Sequence, residues 1–186
     1  MLLLYSIVLI TYICKKIPIM KKILLACITL ILFLSFYSCR VRDNGCGFEL
    51  DPTIKAPDSE IVRLDNYITA NTITATKDPR GFYYNITTAG AGATPGQCTQ
   101  VGVTYVGTLI TGAEFDRANS NIFFQLGSLI YGWRLGIPLI KKGGKIRLYL
   151  PPSFGYGQTD VKNASGVVTI PKNSLLIFDV NLNEVN

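Results

Sequence analysis

The chain of 186 residues contains no histidine. Without an imidazole it cannot carry out Ser-His-Asp or Cys-His catalysis, and it lacks the commonest zinc ligand. Its cysteines and carboxylates show no metal-ligand spacing either. These absences exclude the commonest hydrolase types, and we expect neither a metal nor another cofactor.

Charged residues are also scarce, at 16% of the chain, and the mean hydropathy is +0.31. The apolar excess is concentrated in residues 2–13 and 23–37. Four of the 18 basic residues precede Cys39 and none of the 12 acidic ones does, so the net charge of +6 falls to +2 for the rest. The pI of 9.1 therefore reflects the N-terminal segment, and we expect no nucleic-acid partner.

Residues 1–38 have the pattern of a bacterial export signal, with Met20 as the expected start. Met-Lys-Lys precedes an apolar run over residues 23–37, which is shorter than the ~20 residues a spanning helix needs. The sequence Phe36-Tyr37-Ser38-Cys39 resembles a loose lipoprotein box, which predicts lipid acylation of Cys39. We expect a membrane-anchored lipoprotein of the cell envelope, facing the periplasm or the cell surface. An uncleaved signal anchor, or a longer apolar segment that includes residues 2–13, is the alternative.

Two cysteines, Cys46 and Cys98, belong to the exported part. An oxidising compartment would permit them to pair, but two unpaired cysteines are the favoured alternative, because one lies in a flexible segment and the other at the start of a strand. Residues 39–57 contain glycine and proline without an apolar period, which predicts a lipid-anchored tether.

A helix is predicted over residues 58–71, because Ile61, Leu64 and Ile68 have helical spacing. With the link that follows it forms a segment over residues 58–79, which we expect to lie outside the catalytic unit. Residues 80–186 are predicted to form one α+β domain, in which several antiparallel strands surround one short helix over residues 129–137. Ser128 is the expected cap of that helix and Pro138 its stop.

Two glycine-containing segments carry no ligand prediction. Gly90-Ala91-Gly92 lacks the third glycine and the following helix of a nucleotide site. The basic segment from Lys141 to Lys145 contains two glycines between the helix and a strand, which is typical of a solvated turn.

The region from residue 80 to the C-terminus resembles the FKBP-type peptidyl-prolyl cis-trans isomerases, and the N-terminal features resemble envelope lipoprotein members of gliding and related bacteria. The match is carried in uninterrupted order by Val103-Thr104-Tyr105-Val106-Gly107, Gly112…Phe115-Asp116, Leu126-Gly127…Gly132-Trp133, Gly143…Ile146, Pro152…Tyr156-Gly157, Ile170-Pro171 and Leu176-Ile177-Phe178-Asp179-Val180.

The resemblance implies a half-open antiparallel sheet wrapped around the short helix, with an aromatic pocket between them for a substrate proline. It implies Trp133 as the pocket floor, Tyr105, Phe115 and Phe178 as walls, Leu129 and Ile130 along one side, and Ile170 in a loop above. The Ile130 N–H would face the bound amide, and Asp116 and Tyr156 would form a polar rim. Ile122 stands where many members have an aromatic wall residue.

The implied activity is non-covalent rotation about X-Pro bonds, in the folding of exported or envelope proteins. Proline-containing polypeptides are the expected clients, and macrolides the inhibitor class. Taken singly, the aromatic residues are also typical of an ordinary core, and Asp116 could cap a turn. A chaperone or peptide-binding module with little catalysis is the alternative function, followed by a structural envelope component with an idle pocket.

Overall fold

The computed structural model describes residues 46–186. The predicted export signal, the Met20 start, the acylation site Cys39 and the first part of the predicted tether lie outside the described residues. No helix among residues 46–186 has both the length and the apolar composition required to cross a membrane.

Six strands form one antiparallel sheet in the order β1-β2-β5-β8-β3-β4. Two further strands, β6 and β7, form a separate hairpin. The bounds are α1 Asp58–Ala70, β1 Thr76–Lys77, β2 Tyr83–Thr88, β3 Gln100–Leu109, β4 Glu114–Gln125, α2 Tyr131–Gly136, β5 Lys145–Leu150, β6 Val161–Lys162, β7 Val168–Ile170 and β8 Leu176–Val185.

The core lies between the sheet and the short helix α2. Leu148 and Leu150 of β5 are fully buried, and a Cβ at Gly136 or Gly132 of α2 would approach their side chains to 2.5 Å or less. The two glycines therefore let α2 lie directly against the sheet. This architecture confirms the predicted α+β fold, a half-open sheet around one short helix with an added N-terminal helix.

The start of α2 differs from the prediction. The helix begins at Tyr131, with Ile130 rather than Ser128 at its N-cap. The Ser128 hydroxyl donates to the Gln125 carbonyl at 2.7 Å, which closes a 3-10 turn over Leu126–Ser128 instead. Pro138 does not stop the helix outright, because the chain continues through a 3-10 turn over Ile137–Leu139.

Residues 46–57, the described part of the predicted tether, are held on the domain. Phe48 packs against Gly127, and Ala56 is buried in the core cluster. Arg134 donates to the Glu49 carbonyl at 2.7 Å, and Tyr131 donates to the Asp51 carbonyl at 2.9 Å. Composition predicts that such a segment lacks regular structure, but it does not predict these contacts with distant residues.

Cys46 and Cys98 form a disulfide, so the favoured alternative of two unpaired cysteines is wrong. The bond joins the docked N-terminal segment to the residue two positions before β3. A covalent link between residues 52 positions apart restricts the unfolded chain and therefore stabilises the folded one.

The predicted helix is present as α1. Leu64 and Ile68 are buried with Tyr149 and Leu175 in a second apolar cluster, and Ile61 joins the main core. The apolar spacing of α1 thus finds its partner surface on the sheet and on the segment that leads into β8.

Candidate active site

Trp133, the only tryptophan of the chain, lies on α2 at the floor of an aromatic pocket. Its side chain is 4% exposed. The rings of Tyr105, Phe124 and Phe178 meet it edge to face, with centroids 5.0, 6.3 and 5.3 Å away. Such perpendicular contacts are favourable beyond the area they bury, so the floor is held by packing from three strands.

Phe178, on the central strand β8, forms the wall behind Trp133, and Phe115 supports it from outside the pocket. The two phenylalanine rings meet edge to face at 5.5 Å. Both rings lie over Gly107 of β3, because β3 pairs with β4 on one side and with β8 on the other. A Cβ at Gly107 would lie 2.7 Å from the Phe115 ring and 3.0 Å from the Phe178 ring, so a glycine is required there.

Phe124 lines the pocket on the β4 side, where the sequence interpretation has Ile122 in place of an aromatic wall. Ile122 and Phe124 share one face of β4, since side chains alternate along a strand. Phe124 pairs with Val101, whereas Ile122 pairs with Val103 and remains 41% exposed outside the pocket lining. The aromatic wall is therefore present, two residues further along the strand.

A hydrogen bond between Tyr105 and Asp116 forms the first part of the polar rim. The Tyr105 hydroxyl donates to Asp116 Oδ2 at 2.6 Å, and Asp116 Oδ1 accepts the Arg117 N–H at 2.8 Å. Burial, followed by the hydrogen bond to Asp116, holds the pKa of Tyr105 well above its usual value. Tyr105 thus keeps its proton, and Asp116 faces the pocket instead of capping a turn.

Tyr156 forms the opposite rim, on the loop of residues 152–157 that follows β5. Gly157 has φ +65°, and its N–H donates to the Pro152 carbonyl at 2.8 Å, which turns the loop back on itself. The Tyr156 ring lines the pocket but is 40% exposed. Burial, with a smaller effect from the charge of Asp116, raises the pKa of Tyr156. Within the described part of the chain its hydroxyl has no hydrogen-bond partner and is free to donate.

Leu129 and Ile130 complete the lining of the cavity, whose volume is about 180 Å³. Ile130 has extended backbone angles, φ −54° and ψ 149°, immediately before α2. Its carbonyl accepts the N–H groups of Trp133 and Arg134, but its own N–H has no acceptor among residues 46–186. The pocket therefore offers an unused backbone donor beside its apolar floor.

The structure brings seven of the ten proposed pocket residues around this one cavity. They are Tyr105, Asp116, Leu129, Ile130, Trp133, Tyr156 and Phe178. Three lie outside its lining: Phe115 behind Phe178, Ile122 exposed on β4, and Ile170 of β7, which is 3% exposed in the core. Ile170 pairs with Val161 of β6, so it fixes the β6–β7 hairpin to the core and does not lie open above the pocket.

A larger cavity of about 350 Å³ lies on the outer face of the sheet. Asn85, Thr87, Lys145 and the ion pair of Arg147 with Asp179 line it. Both charges are already neutralised by each other, and the lining resembles a solvated sheet face. Residues 46–186 contain no cluster of acidic or cysteine side chains that could hold a metal ion.

Comparison with known proteins agrees with this geometry. Residues 92–183 match the family of FKBP-type peptidyl-prolyl cis-trans isomerases. Residues 92–183 belong to this FKBP-type family. The chain is 44% identical over 108 residues to FKBP-type peptidyl-prolyl cis-trans isomerase FkpA of Escherichia coli K12, which is 56% of this chain and 38% of that relative. A probable FKBP-type isomerase of Haemophilus influenzae is 41% identical over 109 residues, covering 57% and 43% of the two chains.

Solved structures of FKBP-type proteins share the fold. The crystal structure of FkpA from Escherichia coli aligns with a TM-score of 0.59 at 36% identity, over 69% of this chain and 60% of that one. An isomerase from Pseudomonas syringae pv. tomato aligns with the same TM-score at 25% identity, over 71% and 98%. The chain spans less than half the length of the curated relatives described above.

Proposed function

We propose that the protein is a peptidyl-prolyl cis-trans isomerase and that the cavity floored by Trp133 is its active site. The observation that carries this proposal is the combination, in one cavity, of an apolar aromatic floor, the unused Ile130 N–H and a rim formed by two protonated phenols. The apolar proline ring of a substrate is chemically suited to this floor, and the amide carbonyls beside the ring need hydrogen-bond donors.

The reaction needs no covalent step. Rotation about an X-Pro bond is slow because twisting destroys the amide resonance, a barrier of ~18–20 kcal/mol. A site that binds the twisted amide better than either planar form lowers the barrier by that difference. The rings around Trp133 would exclude water from the amide, and the planar amide, being more dipolar, loses more by that exclusion.

The polar groups around the pocket would bind and orient the substrate backbone. The Ile130 N–H would donate to one backbone carbonyl of the bound peptide. The Tyr156 hydroxyl, on the opposite side of the pocket, would donate to another. The Tyr105 hydroxyl is already engaged by Asp116, so this pair would shape the rim and orient the Tyr105 ring.

The test is a proline-isomerisation assay with the purified protein and peptides that vary the residue before proline. Uncatalysed isomerisation takes ~10–100 s at 25 °C, so micromolar protein should shorten it visibly. We expect a preference for an apolar residue before proline, because Leu129 and Ile130 line the approach. A macrolide inhibitor should compete with the peptide for the same floor.

The alternative of a binding module depended on the missing aromatic at Ile122. Phe124 fills that wall, so this observation no longer favours it. Binding of proline peptides without acceleration in the same assay would restore the alternative.

We also propose that the protein is a lipoprotein of the cell envelope that assists the folding of exported proteins. The export signal and the Ser38-Cys39 pair support the anchor, and the Cys46–Cys98 disulfide supports an oxidising compartment. Metabolic labelling with a palmitate analogue should mark the wild type, and Cys39→Ser should lose both the label and the membrane association. Retention of both in the variant would favour an uncleaved anchor.

A further inference from the structure

The N-terminal half of helix α1 contacts two neighbouring loops, the one that carries Tyr156 and the one that contains Asn173. Glu60 Oε2 accepts the N–H of Ser153, three residues before Tyr156, at 2.9 Å. Arg63 donates to the Asn173 carbonyl at 2.8 Å, and the Asn173 N–H donates to the carbonyl of Gly157 at 2.8 Å. Glu60 and Arg63 are three positions apart, so the two contacts lie on one face of the helix.

We propose that α1 positions Tyr156 for isomerisation, with Glu60 and Arg63 as positioning residues that hold residues 152–157 at both ends. The inference rests on the proposed isomerase function, and it assigns a role in the site to a helix that precedes the family match at residues 92–183. It replaces the expectation that α1 lies outside the catalytic unit.

Helix α1 is itself held firmly, so its contacts with the Tyr156 loop, which we call the brace, can fix that loop in place. Leu64 and Ile68 are 1% and 7% exposed, and they pack against Leu175, which follows Asn173 by two residues. On its other side Asp65 accepts hydrogen bonds from Tyr83 at 2.9 Å and Lys77 at 2.7 Å. The side chains of Glu60 and Arg63 therefore extend from a backbone that is tied to both the sheet and the segment before β8.

The loop is closed on itself by the hydrogen bond from the Gly157 N–H to the Pro152 carbonyl, and the contacts from α1 hold this turn from outside. Phe154 anchors the middle of the loop in the core at 1% exposure. Tyr156 lies two residues beyond this anchor, between Gly155 and Gly157, and glycine restricts the backbone least. The link from Gly157 through Asn173 to Arg63 fixes the far side of the Tyr156 backbone, and the link from Ser153 to Glu60 fixes the near side.

The test compares Glu60→Ala and Arg63→Ala in the full-length protein with Asp58→Asn as a matched control. Asp58 lies on the same helix and forms an ion pair with the exposed Lys55. We expect kcat/KM to fall about 3- to 10-fold in each alanine variant, the scale of a mispositioned hydrogen bond, and to be unchanged in the control. Glu60→Gln keeps an acceptor oxygen and should restore most of the activity.

A double-mutant cycle separates positioning from general stability. In a Tyr156→Ala background the Glu60→Ala and Arg63→Ala losses should disappear, because there is no longer a side chain to position. Equal losses in that background, or unchanged activity in the single variants, would overturn the proposal.

Hydrogen exchange tests the brace without reference to activity. Glu60→Ala should speed exchange of the Ser153 amide, and Arg63→Ala that of the Asn173 amide, while Asp58→Asn changes neither. Unchanged exchange would overturn the brace itself. Inactivity of the wild type with faster exchange in the variants would instead refute the proposed function and leave the brace in place.

Discussion

Trp133 and the Phe178 wall behind it, which together make up the buried floor of the pocket, are 4% and 2% exposed, whereas Tyr156 at the rim is 40% exposed. The floor comes from α2 and the central strand β8, and neighbouring rings hold it on several sides. The rim comes from β3 and the edge strand β4, which carry Tyr105 and Asp116, and from the loop after β5, and individual hydrogen bonds hold it.

The comparison separates two kinds of contribution. A buried ring of the floor belongs to the hydrophobic core and to the pocket at once, so its loss should cost stability and activity together. A rim group is largely solvated, so the folded state gains little from it, and its loss should act on the rate. Single substitutions in the floor and in the rim should therefore differ in kind.

Phe178→Ala should have the largest effect. The ring is almost fully buried between Trp133, Tyr105 and Phe115, so its removal should lower the free energy of unfolding by ~3–5 kcal/mol and abolish most isomerase activity. Denaturant unfolding and the peptide assay measure the two losses. A stable but inactive variant would break the proposed link between floor and core.

Asp116→Ala should reduce the rate more than the stability. It removes the acceptor of the Tyr105 hydroxyl at a half-exposed rim, so kcat/KM should fall about 2- to 10-fold while the free energy of unfolding changes by less than ~1 kcal/mol. Tyr105→Phe, which removes the donor of the same bond, is the matched variant. A large loss of stability with an unchanged rate would show that Asp116 serves the fold.

Tyr156→Phe should spare the fold entirely. The ring remains in the pocket wall and only the unpartnered hydroxyl is lost, so the barrier should rise by ~0.5–1.5 kcal/mol, the value of one neutral hydrogen bond. The slowing is measured as the ratio of kcat/KM in the variant and in the wild type with the same peptide. An unchanged rate would remove Tyr156 from the proposed donors and leave only its ring in the site.

The smallest effect is on the pH dependence of stability. The pKa values of Tyr105 and Tyr156 are raised in the folded protein, so at alkaline pH the folded state binds more protons than the unfolded one. Their stabilisation is therefore complete below the usual tyrosine pKa of about 10 and is lost as pH rises through the folded values. Tyr105→Phe should flatten the alkaline fall in denaturation midpoint relative to wild type, and an identical fall in the two proteins would contradict this.

The sequence predicts the floor and the rim better than the wall formed by β4. Trp133 and Phe178 lie at family-specific spacings, and their burial follows from strand and helix positions that apolar patterns also indicate. The sequence interpretation has Ile122 at the β4 wall, whereas Phe124 lines the cavity there, and both side chains share one face of β4. Only the pairing of β4 with β3 decides which one reaches the cavity, and a bulge between Ala118 and Ile122 shifts that register.

The contacts of the N-terminal region were beyond prediction for a different reason. The apolar spacing of Ile61, Leu64 and Ile68 indicates that α1 needs a partner surface, but not which one. The links from Glu60 to Ser153 and from Cys46 to Cys98 join residues 93 and 52 positions apart. Glycine and proline in residues 46–57 indicate a segment without regular secondary structure. Such a segment can still pack against the domain, and composition does not predict whether it does.

The most direct measurement follows binding and catalysis of one proline peptide in the same solution. Trp133 is the only tryptophan and lies at the pocket floor, so its fluorescence reports occupancy of the cavity. We expect the fluorescence change and the acceleration of cis-trans exchange to saturate at the same peptide concentration. Saturating fluorescence change with an exchange rate equal to that of the free peptide would contradict the isomerase account.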